Sequence, residues 1–559
     1  MKKLILCSSL ILLSACGKKN NEFDVNSVIT NPDHGKVINT VAYMFDNYYV
    51  HDKGGNSAAD IRKVNNSFGK EMFYNKIEEV FFKQKDAHTV FYKPSKCFSK
   101  GVHPNNLSLE LAEENGQKKI VVASLNTTMH SVKNFGDKDF INYILSLSQL
   151  RVGDVITEIN GVNVLQALNK IKTITYGANS NAEELRSLNY LMYRNGAIHE
   201  FPSEDQFVLS LERGGRKIRI PSHSFIDPNC NRDEKGIRLQ SDFTDDELPS
   251  KPSLNFLKKG YNPILDNDIV KKYSNIEKFE NIAYFKISTF DLDINDDDKA
   301  REEENRILYG LDTKLSQIDL DTIVIDLRNN GGGSIRFADN LARLFYDKDS
   351  KYPFYPMEFR LKNTKGNLEL VNKFLAYERN VLLDFASEYA FWKQDLEDAA
   401  QNGWQYTKPR ALTQDYEINK VYRSRFTKLN NKKIIILTNA KCFSACDQFV
   451  AIMKDQNLAT KIVGENKFTA GGGANVISWE LLVEKNFVER LPGNTEMTFS
   501  WRDMQSRIHN GTAHRAIEGN GTQADCVIPK TIEEIKEKTD SLNSKYIQKV
   551  ISAVKENKC

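Results

Sequence analysis

Lys433-Ile434-Ile435-Ile436-Leu437-Thr438-Asn439-Ala440-Lys441-Cys442-Phe443-Ser444-Ala445-Cys446-Asp447 is the stretch on which the fold turns. Ile434 to Leu437 run without polar alternation, as in a strand buried on both faces. Phe449, Val450 and Met453 then recur at helical spacing, so the chain passes from strand to helix close to Ser444. A serine at such a junction is most often a plain N-cap. Alternatively its hydroxyl stands exposed at the sheet's edge, where the helix dipole favours an alkoxide.

Upstream lie two more strands of the same kind, Asn281–Ile287 and Thr322–Leu327, separated and followed by helical patterns. Apolar strands alternating with amphipathic helices imply an α/β core. The second strand runs into Asp326-Leu327-Arg328-Asn329-Asn330-Gly331-Gly332-Gly333-Ser334 and then a helix from Ile335. Three glycines at that place let backbone N–H groups face an anion. A phosphate loop needs a closing Gly-Lys-Ser/Thr, absent here, so an oxyanion hole fits better. Residues 352–430 interrupt the alternation as an inserted cap, and Leu542, Tyr546, Val550 and Val554 mark a closing helix.

Ahead of the core, Val37, Val41, Met44, Phe45 and Tyr48 predict helix. Leu107–Leu111 and Ile120–Ala123 flank Glu114-Asn115-Gly116 as two strands flank a turn. Leu150-Arg151-Val152-Gly153-Asp154-Val155-Ile156-Thr157-Glu158-Ile159-Asn160-Gly161 resembles the Gly-Asp and Asn-Gly signature of a PDZ domain, with Phe207–Arg213 as its closing strand. The resemblance implies an extended peptide ligand added to a sheet edge. Asp227–Pro252 reads as a linker.

At the start, Lys2 and Lys3 precede the apolar run Leu4–Leu13, which is too short to span a bilayer and reads as a signal peptide. Leu13-Ser14-Ala15-Cys16 resembles the bacterial lipobox, implying cleavage before Cys16, acylation of that cysteine, and a lipid-anchored protein of the bacterial cell envelope. The polar residues 17–30 would then be a tether. A net charge of +3 with no basic face gives no ground for a nucleic-acid partner. Cys97, Cys230, Cys442, Cys446, Cys526 and Cys559 permit disulfides whose pairing the sequence leaves open. No close cysteine pair suggests zinc. Asp291, Asp293, Asn295, Asp297 and Glu302 are spaced as in a calcium loop, but Asp296 replaces its glycine. An acidic helix start is the better reading, and no metal or cofactor is expected.

Taken in order, these segments resemble the tail-specific (C-terminal-processing) serine peptidases. Asn281–Phe290, Asp326–Gly333, Cys442–Asp447, Gly464–Gly473 and Glu518–Pro529 each match a motif of that family in part. The resemblance implies a multidomain α/β fold: a helical N-terminal domain (31–103), a PDZ-like domain (104–226), a linker (227–253), a ClpP/crotonase-like core (254–535) and a C-terminal helix (536–559). It implies peptide-bond hydrolysis, a polypeptide substrate and Ser444 as nucleophile. The Ser/Lys branch of the family carries a lysine where this chain has Ala470, and neither Lys441 nor Lys467 matches. The tricorn-type branch implies His88 as base and Glu518 as the acid that orients it, although Ala87 stands where that branch has a serine. Gly331 or Gly332, with Ala445, would form the oxyanion hole. The alternative is a peptide- or ligand-binding lipoprotein that kept the fold and lost catalysis.

Overall fold

The computed structural model describes residues 31–94, 100–101, 107–125, 145–199, 206–223, 225–226, 276–292, 294, 297–347, 349–381, 388–412, 429, 431–537 and 541–559. The leader, Cys16, the tether and the linker-like 227–253 lie outside these residues, as does most of the acidic run before Asp297.

The three apolar strands pair as neighbours. The sheet runs Glu277–Phe279, Ile282–Lys286, Thr322–Asp326, Lys433–Thr438, Lys461–Gly464, Cys526–Val527, parallel except for its first, antiparallel edge. Successive side chains point to opposite faces, and here both faces are apolar. Ala283, Phe285, Ile323, Ile325, Ile434 and Ile436 join the main core, together with helices Ile335–Arg343 and Ala445–Asp455. Tyr284, Val324, Ile435, Leu437 and Val463 meet Tyr546, Ile547, Val550 and Ile551 of the closing helix, Lys545–Lys555. Each fully buried aliphatic side chain of this kind contributes roughly 1.5–3 kcal/mol. A disulfide joins Cys526 on the last strand to Cys559 after that helix.

A second sheet is built around the long strand Glu496–Arg507, which pairs with Val90–Tyr92, Glu358–Leu361, Ala474–Ser478 and His514–Ala516. Two further segments of the chain pack with it. The N-terminal helices Pro32–Asn47 and Lys70–Lys83 share one core with the α/β sheet rather than forming a body of their own. The insertion at 352–430 is packed in as well. Its strand Glu358–Leu361 completes the second sheet, and its Phe374 packs on Trp501 of the long strand. Both segments are too rich in core aromatics to stand alone: Phe45, Phe73, Phe81 and Trp392 are almost wholly buried.

The third sheet is antiparallel, ordered Leu107–Glu114, Gln117–Leu125, Val155–Ile159, Gln206–Arg213, Arg216–His223. Asn115 and Gly116 turn the first hairpin at φ 52° and 74°, as an Asn-Gly pair does. Helices Val164–Lys172 and Ser180–Leu191 pack on this sheet around Leu168, Leu185 and Leu188. Asn179 caps the second helix and donates to the Thr469 carbonyl at 2.8 Å, while the Phe468 N–H donates to Asn181 Oδ1 at 3.3 Å. The start of this helix is thereby tied to the loop beside Ser444. Among the described residues no helix is long and apolar enough to cross a membrane.

Candidate active site

Ser444 stands before helix Ala445–Asp455 with φ 58° and ψ −122°, and its side chain makes no capping bond, so the simple N-cap reading fails. A non-glycine residue held there costs on the order of 1–3 kcal/mol and persists only under constraint. The constraints are visible. Phe443 donates its N–H to the Asn330 carbonyl at 3.1 Å, and Cys446 donates to the Phe443 carbonyl at 3.1 Å. A disulfide, Cys442–Cys446, spans the turn with Ser444 between its ends.

The glycine run packs directly against this elbow. A Cβ on Gly332 (φ 101°) would lie 2.6 Å from the Phe443 carbonyl oxygen, 2.7 Å from Ser444 Cβ and 3.0 Å from the Ala445 nitrogen. Only glycine permits that approach. Asn330, fully buried, holds the run: its Nδ2 donates to the Ile287 carbonyl at 2.9 Å and its Oδ1 accepts from the Gly332 N–H at 2.8 Å. The Gly332 N–H is therefore occupied. Among the described residues those of Gly331 and Ala445 make no hydrogen bond.

Three carboxylates brace the site, Asp326 and Asp447 buried and Glu465 half-buried. Glu465 and Asp326 both bind Arg328, and Glu465 also accepts from Asn439 at 3.0 Å. Asp447 accepts from the Gly471 and Gly472 N–H groups at 3.2 and 2.8 Å, clamping the later glycine loop to the elbow helix. Burial raises its pKa to about 6, although bonds from Thr469 and the two glycines oppose the shift.

His88 arrives from the other sheet. Thr498 donates to its carbonyl at 2.8 Å, and its own N–H donates to Asp86 Oδ1 at 2.8 Å. Its ring lies against Phe443, centroids 4.2 Å apart. No hydrogen bond joins it to Ser444, and its Nδ1 is buried without a partner. Burial pushes its pKa down to about 4; Asp86 opposes that, while Arg186, His51 and Lys53 add to it.

No hydrogen bond joins Glu518 to His88. Its Oε1 accepts from Lys53 Nζ at 2.6 Å and its Oε2 from the Gly473 N–H at 2.8 Å, so the expected orienting contact is not made. Burial, then the Asp86 charge, raise its pKa to about 7 against the pull of His51 and Lys53. The carboxylate beside His88 is Asp86, which the sequence reading passed over although it sits two residues away. Asp86 belongs to a buried chain: His51 Nδ1 lies 3.3 Å from Asp86 and Nε2 3.0 Å from Asp503, which also accepts from Arg360. Burial works against a charged His51, yet its bonds to Asp503 and Asp86 carry its pKa up to about 10. His51, Asp86 and Glu518 bring ligand-type atoms within 4.8 Å of one another. Both nitrogens of His51 are already engaged and Lys53 supplies a cation, so hydrogen bonding accounts for the cluster.

The two lysines near the elbow are placed differently from each other. Lys467 is exposed, its Nζ above the ring of Phe468. Lys441 is half-buried beside a groove lined by Leu109, Leu111, Leu185 and Leu188, and desolvation lowers its pKa despite Glu110 and Glu465 nearby. Packing of the chain around the groove produces this desolvation.

Residues 281–505 match the model of peptidase family S41. The chain carries a peptidase S41 domain. All the elbow and glycine-run residues fall within that S41 segment, whereas His88 and Glu518 lie outside it. The family match makes the protein a serine-type peptidase. Among solved structures it is similar to mature CPAF (14% identity, TM-score 0.61, covering 94% of this chain and 96% of that one). It is similar also to mature CPAF complexed with lactacystin (15% identity, TM-score 0.60, covering 94% and 99%). At such identity the likeness is one of fold. No curated protein matches the sequence.

Proposed function

We propose that this S41 peptidase cleaves polypeptides by acyl transfer, with Ser444 as nucleophile and His88 as general base. One observation carries the reading: Ser444 is held at positive φ on a strand-to-helix elbow, against a glycine that admits no side chain. In this reading Ser444 Oγ attacks the peptide carbonyl carbon and gives its proton to the His88 imidazole. The unpaired N–H groups of Ala445 and Gly331 receive the oxyanion, and Gly332 makes the room. The imidazolium then protonates the leaving amine, and water repeats the sequence to free the acyl group. Asp86, whose charge favours the protonated ring, stabilises the imidazolium in place of Glu518. The missing Ser444–His88 bond is compatible with a site that tightens on substrate.

We further propose that the chain is exported and held on a bacterial membrane through acylated Cys16. The antiparallel sheet at 107–223 would be the PDZ-like unit that presents peptides to the core: its edge strand Leu107–Glu114 and helix Ser180–Leu191 flank the groove that reaches Lys441. Cys16→Ser should move the protein out of the membrane fraction; an unchanged fraction removes the anchor from the proposal.

A second reading, a binding protein on the same fold, is favoured by the His88 Nδ1 that faces no acceptor. A serine-directed fluorophosphonate separates the two. It should label the wild type at Ser444 and leave Ser444→Ala unlabelled; absence of labelling with retained peptide binding would establish the second reading.

A further inference from the structure

Arg186 lies on helix Ser180–Leu191, one turn beyond Ala182, which packs with Phe443 and Ala470. Residues four apart share a helix face, so Arg186 is aimed at the same place. Its guanidinium sits over the Phe443 ring, 4.4 Å from the centroid, and His88 approaches that same ring. The group is half-buried, and among the described residues it makes no hydrogen bond and no ion pair. Every other arginine named at this site is differently placed: Arg328 is saturated by Asp326 and Glu465. Burial works against the charge of Arg186, and Tyr190, Asp447 and Asp86 offset this only from a distance. A guanidinium carries five donors in a planar fork suited to a carboxylate. Its nitrogens keep access to solvent, so the fork stands free beside the elbow to receive an acceptor from a ligand.

We propose that Arg186 is the specificity residue of this cleft, receiving a carboxylate of the substrate a few residues from the bond that Ser444 attacks. The guanidinium lies 4.4 Å from the ring centroid of Phe443, the residue before Ser444, and extended chain advances about 3.3 Å per residue, so the carboxylate falls within a few residues of the bond attacked. The carboxylate is either the chain's C-terminus or an Asp or Glu side chain. The first would make the enzyme a reader of free chain ends; the second would make it a reader of acidic sites. The inference rests on Ser444 being the nucleophile.

The test uses the full chain and three matched fluorogenic peptides: one ending in a free acid within three residues of the cleaved bond, its C-terminal amide, and the amide with an internal Glu. A charge-assisted contact of this kind gives about a 10- to 100-fold preference in kcat/KM for a carboxylate-bearing peptide over the plain amide. Preference for the free acid identifies the C-terminus; preference for the internal Glu identifies a side chain. Arg186→Met should abolish the preference while retaining cleavage of the plain amide, and Arg186→Lys should restore part of it. Equal rates on all three peptides by the wild type overturn the inference without any variant. An equal loss on all three in Arg186→Met also overturns it, because a merely structural arginine would lower every rate alike. Fluorophosphonate labelling of Ser444 in the same samples keeps the two claims apart: labelling without carboxylate preference refutes Arg186 alone, and no labelling refutes the nucleophile and this inference together.

Discussion

The imidazole of His88 rests on the ring of Phe443, the residue immediately before Ser444, with centroids 4.2 Å apart. The candidate base and nucleophile therefore come from two different sheets and meet through one aromatic side chain. Because burial holds the His88 pKa down at about 4, the neutral, proton-accepting form prevails above that value. kcat/KM should thus rise through an acid limb near pH 4–5, below the ordinary histidine range around 6.5. His88→Ala should lose at least about 10²-fold in kcat with the fold intact by circular dichroism. A limb near pH 7 that disappears in Glu518→Gln would instead assign the titration to Glu518.

Gly332→Ala places a methyl within 2.7 Å of Ser444 Cβ and 2.6 Å of the Phe443 carbonyl. The elbow must shift, taking the Ala445 N–H with it. Loss of an oxyanion donor costs about 10²–10³ in kcat. Gly331→Ala, whose new Cβ would meet nothing within 4 Å, should be far milder unless its N–H is displaced. Steady-state kinetics on one peptide compare the two.

The Cys442–Cys446 bridge encloses Ser444. Constraining so short a loop stabilises mainly by limiting its alternatives when open. Reduction, or Cys442→Ala with Cys446→Ala, should lower the rate of fluorophosphonate labelling at Ser444 while leaving the global melting temperature nearly unchanged. Labelling unaffected by reductant would show that the hydrogen bonds from Phe443 to Asn330 and from Cys446 to Phe443 suffice.

Lys441 is the rival base to exclude, because desolvation lowers its pKa. Its neighbours are the groove residues and Glu465 rather than His88. Lys441→Ala should therefore raise KM more than it lowers kcat. A dead Lys441→Ala beside an active His88→Ala would transfer the base to the lysine.

The His51 pair of bonds to Asp86 and Asp503 gives stability with a definite pH signature. A histidine whose folded pKa is raised to about 10 stabilises fully below its unfolded value, near 6.5, and loses that contribution as pH climbs to about 10. His51→Ala leaves two buried carboxylates facing each other, at a cost of about 3–5 kcal/mol. Urea unfolding should show the gap between wild type and variant closing between pH 6.5 and 10. A gap independent of pH would mean that His51 is neutral.

Much of the framework was legible beforehand. The strands at Asn281, Thr322 and Lys433, the Asn115-Gly116 turn and the two loops facing each other at Gly332 and Ser444 follow from apolar runs and glycines, signals carried by neighbouring residues. Less was legible around 31–103 and 352–430. Strands such as Val90–Tyr92 and Glu358–Leu361 are short and gain their identity from a partner more than a hundred residues away.

The sequence by itself determined the α/β core, the position of the elbow and the residue types around it, because periodicity and turn chemistry act over a few residues. Tertiary structure alone decided that Asp86 rather than Glu518 stands beside His88, that Cys442 pairs with Cys446, and that Arg186 reaches Phe443. Those choices depend on which surfaces the two sheets and the helix Ser180–Leu191 bury against each other. Such long-range packing leaves no mark in local order: a carboxylate, a thiol or a guanidinium reads the same in sequence whichever neighbour folding brings to it.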